Sequence, residues 1–271
     1  MKNKIDICLK SAVEAGNAIM QVYLHEDFNV EMKADDSPLT KADKMAHKVI
    51  MSHLQETGYP VLSEEGSRID YEERKQWDKF WLVDPLDGTK EFISRNGDFT
   101  VNIALISDGY PVAGIIFVPV KNDLYLGIDG EGAWKININD NAFKPAGEFI
   151  KSHGEEIQAD PDIPDKLVIA GSRSHMNEET KQYIKSMEKT YGEVELISRG
   201  SSLKLCMVAE GKAHIYPRFG PTMEWDTGAG HAIVNAAGGI VLDAKSKKAL
   251  RYNKVDLHNP WFVVKHKEAV Y

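Results

Sequence analysis

Six consecutive residues, Asp84-Pro85-Leu86-Asp87-Gly88-Thr89, carry the densest chemistry in the chain. They follow an apolar run at 80–83 that reads as a buried strand. Pro85 supplies no amide donor and fixes its own φ, so the strand is expected to stop there. Gly88 can take backbone angles closed to other residues, which allows a sharp turn. Across that turn the carboxylates of Asp84 and Asp87 can converge on one point. Converging carboxylates repel unless a cation separates them, and hard oxygen donors with no cysteine or histidine nearby favour Mg²⁺ over zinc. In isolation, an Asx-Pro turn with two solvated acids explains the same residues.

Further acids recur in similar settings. A short strand at 59–63 ends in Glu64-Glu65-Gly66, again an apolar run followed by acids and a glycine. Thr40-Lys41-Ala42-Asp43 opens an amphipathic helix, where Asp43 fits the role of a helix-cap acid. Glu224-Trp225-Asp226 opens a helix of small residues, and a cap role suits Asp226 equally well on local evidence. Gly228, Ala229 and Ala232 on that helix permit the close packing needed if its end is to meet Asp84 and Asp87.

Three stretches could meet a substrate. Gly171-Ser172-Arg173-Ser174-His175 lies between a strand and a helix, the usual place for a ligand loop in α/β folds. Ser201-Ser202-Leu203-Lys204 opens a helix whose free amides suit a phosphate, with Lys204 as a point charge. Arg218 follows a strand ending at Tyr216-Pro217. An N-cap, a surface lysine and a solvated turn residue are the plainer readings of these three.

The elements that must position these groups fall into two textures. Helical spacing predicts helices over 5–24 and 43–54, with a short strand at 28–32 and a loop at 33–37 between them. Strand patterns at 99–106, 112–118, 123–128 and 132–138 then predict a largely antiparallel sheet with helices on one side. Residues 139–164 turn polar and read as a boundary with a strand and a loop. Beyond it strands at 167–170, 194–197, 213–216, 240–242 and 261–264 alternate with helices at 177–189, 201–210 and 226–237, which means an α/β layer. The expected organisation is an α+β metal-binding domain over 1–155 and an α/β substrate-binding domain over 156–271.

Composition narrows the function classes. With 271 residues, 42% apolar and 27% charged, the chain can bury a sizeable core and is not a disordered protein. A formal net charge of −8 argues against binding a nucleic acid polymer, yet metal ions can reverse the sign locally for a phosphorylated substrate. Cys8 and Cys206 have no metal-ligand or redox spacing, so a reducing cytoplasm is the expected setting. Neither a signal peptide nor an integral membrane segment is expected, and the inner face of the membrane is the place for any peripheral association. Composition leaves the oligomeric state open.

Taken together the motifs resemble the lithium-sensitive, Mg²⁺-dependent phosphatase superfamily that includes inositol monophosphatase and fructose-1,6-bisphosphatase. The match rests on Asp84 to Thr89, Trp225-Asp226, Glu64-Glu65 and Thr40 to Asp43, in the family's order over nearly the whole chain. Residues 88–93, 99–105, 216–222 and 224–227 look most like its 3′(2′),5′-bisphosphate nucleotidase branch, with Gly228 where alanine is expected. The resemblance implies a layered α/β/α/β sandwich. It implies one Mg²⁺ on Glu64, Asp84 and the Leu86 carbonyl, a second on Asp84, Asp87 and Asp226, and Thr89 backed by Asp43 as acceptor of the proton of the attacking water. It further implies a small-molecule substrate, adenosine 3′,5′-bisphosphate, contacted by Gly88, Thr89, His175, Ser201, Lys204 and Arg218. An inositol monophosphatase would share every metal ligand, whereas a non-catalytic phosphate-binding protein would need a damaged acid cluster, and none of the acids is missing.

Overall fold

Apolar residues at helical spacing place Ile5, Leu9, Ala12, Ala15 and Ile19 on one buried stripe of helix α1 (Lys2–Tyr23). Ala42, Ala46, Ile50 and Leu54 do the same for α2 (Lys41–Leu54), and the two helices pack on each other. The two-residue strands β1 (Glu31–Met32) and β2 (Pro38–Leu39) pair between them. A computed structural model describes residues 2–25, 31–32, 38–138, 143–162, 166–171 and 176–269. The strand expected at 28–32 lies mostly outside them, as do the loop expected at 33–37 and His175.

The chain continues through β3 (Val61–Ser63), α3 (Tyr71–Arg74), β4 (Lys79–Asp87), α4 (Thr89–Ile93), β5 (Thr100–Ser107), β6 (Tyr110–Val118), β7 (Asp123–Ile128), β8 (Gly132–Asn137), α5 (Gly147–His153) and β9 (Glu155–Glu156). These strands form a seven-stranded sheet in sequence order, antiparallel except for the β3/β4 pair. Then come β10 (Leu167–Gly171), α6 (Glu178–Tyr191), β11 (Val194–Ser198), α7 (Leu203–Ala209), β12 (Ile215–Arg218), α8 (Glu224–Ala236), β13 (Gly239–Asp243) and β14 (Phe262–His266). Here the strands make a five-stranded mixed sheet ordered β11-β10-β12-β14-β13.

Helices cover both faces of the seven-stranded sheet, not one as the strand pattern suggested. Strand alternation sends Trp81, Val83, Ile103, Ile115 and Phe117 to the side of α1 and α2. Phe80, Leu82, Ala104, Ile106 and Ile116 go to the opposite side, into a cluster that also holds Ala229, Ile233 and Val234 of α8. That same cluster takes in Val241, Phe262 and Val264 of the second sheet, so α8 lies between the two sheets. The four expected layers are present, and α6 adds a fifth, with Ile184 packed on Leu167, Ile169 and Ile215.

Two other expectations change. β4 does not stop at Pro85 but runs on to Asp87. Asp84 pairs with Asn102 and Asp87 with Thr100, so β4 carries one extra residue in a bulge that contains Pro85. Its partner on the other side, β3, ends at the Ser63–Val83 pair, so no ladder bond is asked of Pro85 there. The polar boundary stretch contains helix α5 rather than a strand and loop alone. Its amino-terminal amide, Gly147 N, donates to Asp6 Oδ1 of α1 at 2.8 Å, a cap supplied from far away in sequence.

Candidate active site

Three carboxylates meet where the bulge in β4 faces the first turn of α8. Asp84, on the α8 side of β4, is 2% exposed. Each acid is anchored by one of its oxygens. Asp84 Oδ1 accepts from the Leu86 amide at 3.0 Å, and Asp226 Oδ2 accepts from Met223 N at 2.9 Å, which closes the first turn of α8. Asp87 Oδ2 takes four donors: Ser201 Oγ at 2.5 Å, Ser202 N at 2.7 Å, Ser202 Oγ at 2.7 Å and Asn102 Nδ2 at 3.2 Å. The second oxygens of Asp87 and Asp226 receive no hydrogen bond from the described residues.

Electrostatics show how close these groups lie. Burial pushes the Asp84 carboxyl well above the usual carboxylate range, and Glu64, Asp87 and Asp226 push it further. Burial raises Asp226 in the same way, Asp87 adds to it, and the Met223 amide opposes. Among the described residues no three acidic, imidazole or thiol groups already surround one point as an ion's ligands do. The donor set nevertheless fits a hard divalent cation: it is all oxygen, buried at Asp84 and half-buried at Glu64, Asp87 and Asp226, mutually repelling, and Asp87 and Asp226 are each held by one oxygen with the other open. The Leu86 carbonyl stands between Asp84 and Asp87 in sequence, and Thr89 Oγ1 lies 3.4 Å from it.

Thr89 opens α4 directly after Gly88, whose φ of +90° makes the turn out of β4. Its hydroxyl donates to Asp43 Oδ1 at 3.2 Å. Asp43 is both the cap acid and the partner of Thr89. Its Oδ2 accepts from Thr40 N at 2.8 Å and from Thr40 Oγ1 at 2.5 Å, which fixes the carboxylate while Oδ1 faces Thr89.

A cavity of about 120 Å³ adjoins the acids and is lined by Asp87, Gly88, Ser201, Lys204, Arg218 and Asp226, so the structure brings both cations to the acid pair. Lys204 is not a surface lysine. It is 4% exposed, its Nζ donates to Arg199 O at 3.0 Å and Ser201 O at 2.8 Å, and burial pulls its ammonium down to about 8, opposed by Asp87. These bonds hold the turn in which Ser201 stands at φ +52°. The amide of Ser202 is spent on Asp87, so this turn presents its serines to an acid rather than to a free anion. Arg218 ends β12, donates from Nη2 to Pro221 O at 3.0 Å, and keeps a buried Nε without a partner among the described residues. On the far side of the acids Glu64 lines a second, larger cavity of about 460 Å³ together with Trp225 and His258.

Sequence reasoning missed Asn102 and Thr100, and it offered Ser202 to a phosphate rather than to Asp87. Asn102 bridges Asp87 and Ser202, and Thr100 Oγ1 donates to Asn102 Oδ1 at 2.9 Å. The signal was available: two polar residues at alternate positions of an otherwise apolar strand share the face that receives α8.

The inositol monophosphatase family model matches residues 2–270. The chain belongs to the inositol monophosphatase family. Among members of this family it is 45% identical over 263 residues to the 3′(2′),5′-bisphosphate nucleotidase CysQ of Escherichia coli K12, covering 96% of this chain and 98% of that relative. The crystal structure of CysQ from Bacteroides thetaiotaomicron superposes with a TM-score of 0.89 at 49% identity over 98% of both chains. The extragenic suppressor protein suhB of Bartonella henselae shares the fold, with a TM-score of 0.74 at 23% identity over 98% of this chain and 94% of that one.

Proposed function

We propose that the protein is a Mg²⁺-dependent 3′(2′),5′-bisphosphate nucleotidase that removes the 3′-phosphate of adenosine 3′,5′-bisphosphate to give AMP and phosphate. The observation that carries this reading is the cavity in which two cationic side chains, the buried Lys204 and the half-buried Arg218, adjoin the acid pair Asp87 and Asp226. An acid cluster alone serves any phosphate monoester. Cations beside it give a second phosphate its counter-charge, and the unpartnered Arg218 Nε has a donor to offer.

Glu64, Asp84 and the Leu86 carbonyl would hold one Mg²⁺, and Asp84, Asp87 and Asp226 a second. Bound there, such ions neutralise phosphate charge and make water a better nucleophile. The chain's own part is to receive the proton. As the water oxygen bonds to phosphorus and the P–O3′ bond breaks, Thr89 Oγ1 accepts the water proton while its own passes to Asp43 Oδ1, 3.2 Å away, and the departing O3′ takes a proton from solvent to become the 3′-hydroxyl of AMP. Ser201, Ser202 and Asn102 hold Asp87 still for this, and no covalent phosphoenzyme is needed.

Phosphate release from adenosine 3′,5′-bisphosphate, its sulfated analogue, a nucleoside 3′-monophosphate and inositol monophosphate, with and without chelator, tests the reading. The bisphosphate should be preferred and chelator should abolish turnover. Asp87→Asn and Asp226→Asn should each lose roughly a hundredfold or more. Lys204→Ala should weaken the bisphosphate by about 1.5–3 kcal/mol and the monophosphate much less. Preference for inositol monophosphate, or full activity in chelator, would sink it.

A further inference from the structure

Glu224 and Arg74 are two buried charges that no step above uses, 0% and 3% exposed. Both spend their hydrogen bonds on one short segment, residues 253–255. Glu224 takes its amides: Asn253 N donates to Oε2 at 2.6 Å, Lys254 N to Oε1 at 3.0 Å, and Lys254 Nζ to Oε1 at 2.5 Å. Arg74 takes its carbonyls, donating to Lys254 O at 2.5 Å and Val255 O at 2.9 Å. Asn253 closes the grip from both ends of its side chain, accepting from Arg74 Nη1 at 2.9 Å and donating to Arg74 O at 2.6 Å. Its φ of +66° is one that asparagine adopts more readily than most residues.

The two gripping residues come from chain segments that carry different acids of the cluster. Arg74 ends α3, in the stretch that leaves Glu64, while Glu224 opens α8 two positions before Asp226. Beside Arg74 lies the cavity of about 460 Å³, lined by Glu64, Arg74, Trp225, Val255 and Leu257. Residues 253–255, of which Val255 lines this cavity, act as a strut between Arg74 and Glu224. Its continuation is stitched to α8 as well, with Glu224 N donating to Leu257 O at 2.9 Å and Asn259 Nδ2 to Met223 O at 2.7 Å. Both oxygens of Glu224 and both terminal nitrogens of Arg74 are bonded, while Arg74 Nε stays buried without a partner among the described residues. Buried charges bonded in this way favour one geometry, and a small displacement of a ligating carboxylate changes what it binds.

We propose that Glu224 and Arg74 are positioning residues that, by gripping residues 253–255 from opposite sides, set the spacing of Glu64 and Asp226 and hence the site's affinity for a divalent cation. The inference rests on reading those two acids as cation ligands. Mg²⁺ binding measured by calorimetry on wild type, Glu224→Gln, Arg74→Met and the double variant tests it, with kcat and KM for adenosine 3′,5′-bisphosphate measured alongside. Glutamine keeps the volume but turns an amide donor toward the backbone amides. Each single variant should bind Mg²⁺ about tenfold or more weakly, lose kcat at limiting Mg²⁺, and keep its KM. The double variant should be little worse than the worse single one, because both act through one segment. Wild-type Mg²⁺ affinity in the folded single variants, or losses that simply add, would overturn the proposal. Should either substitution prevent folding, Asn253→Gly keeps the left-handed turn and removes only the side-chain bonds to Arg74. A weaker Mg²⁺ affinity there supports the strut, and an unchanged one overturns it. Wild type that binds no Mg²⁺ or releases no phosphate defeats the proposed function instead, and it does so without reference to the variants.

Discussion

The two faces of the seven-stranded sheet are covered by helices in different ways. On the side of α1 and α2 the contact is made by side chains: a Cβ added at Gly16 of α1 would lie 2.3 Å from the ring of Phe117, a side chain rather than backbone. On the α8 side the strands offer bare backbone. A Cβ at Gly114 of β6 would lie 2.2 Å from Ala229 O, and one at Gly127 of β7 would lie 2.5 Å from Ile233 Cα. Side-chain interfaces adjust by repacking, whereas a helix seated on backbone has one height above the sheet. The division matches the chemistry each face carries. α2 brings Asp43 to a hydroxyl, and α8 brings Asp226 into a cluster of like charges.

The contrast predicts its largest effect at Gly114. Gly114→Ala pushes on the Ala229 backbone and on the Ala232 Cβ, which has no torsion to yield, so α8 must lift and carry Asp226 with it. We expect a loss of about 3 kcal/mol or more in denaturant unfolding. In material that still folds, kcat should fall about a hundredfold. Gly16→Ala, against a ring, should cost clearly less, and equal costs would erase the distinction. On the α2 side, Thr89→Val should lower kcat roughly a hundredfold while leaving Mg²⁺ and AMP binding intact. An unchanged kcat would leave Asp43 as a helix cap alone.

A third expectation concerns the charge cluster without its ion. Burial and mutual repulsion hold the Asp84 and Asp226 carboxyls well above 3.8, the ordinary value near which the unfolded chain releases these protons. A raised folded value stabilises below that point and loses its contribution as pH rises. Thermal melts in chelator should therefore fall with pH between about 5 and 8, by about 3 °C or more, and Mg²⁺ should reverse the trend. A flat profile in chelator would mean that the acids do not repel. The smallest effect is expected at Gly228→Ala. Its Cβ would meet Leu82 Cδ2 at 2.9 Å and Ala104 Cβ at 3.2 Å, and a leucine methyl can rotate away. A change within about 1 kcal/mol in the denaturant midpoint is expected, and a loss as large as that of Gly114→Ala would contradict the backbone argument.

Much of this was legible in the order of residues, because local chemistry decides it. The turn at Gly88, the first turn of α8 and the capping box at Thr40 and Asp43 each follow from neighbours within four positions. What stayed hidden depends on distant partners. Pro85 reads as a strand end until the bulge against Asn102 and Thr100 accommodates it. Gly147 begins a helix only because Asp6 caps it. Lys204 reads as a surface charge until Arg199 O and Ser201 O are found around its Nζ. Glu224 stood beside a recognised motif, and nothing nearby in sequence shows that its bonds go to residues 253 and 254.

The position of α8 in the chain also governs how the protein is made. Every strand of the seven-stranded sheet is synthesised by residue 156, yet the helix that covers its second face spans Glu224–Ala236. A nascent chain of that length carries Leu82, Ile106, Ile116 and Tyr125 on a face with nothing over it. Such a face is a target for chaperones and for other unfinished chains, and a fragment ending there should aggregate rather than fold. Asp84 and Asp87 likewise leave the ribosome long before Asp226. Covering the sheet and completing the acid cluster are thus one late step of biosynthesis.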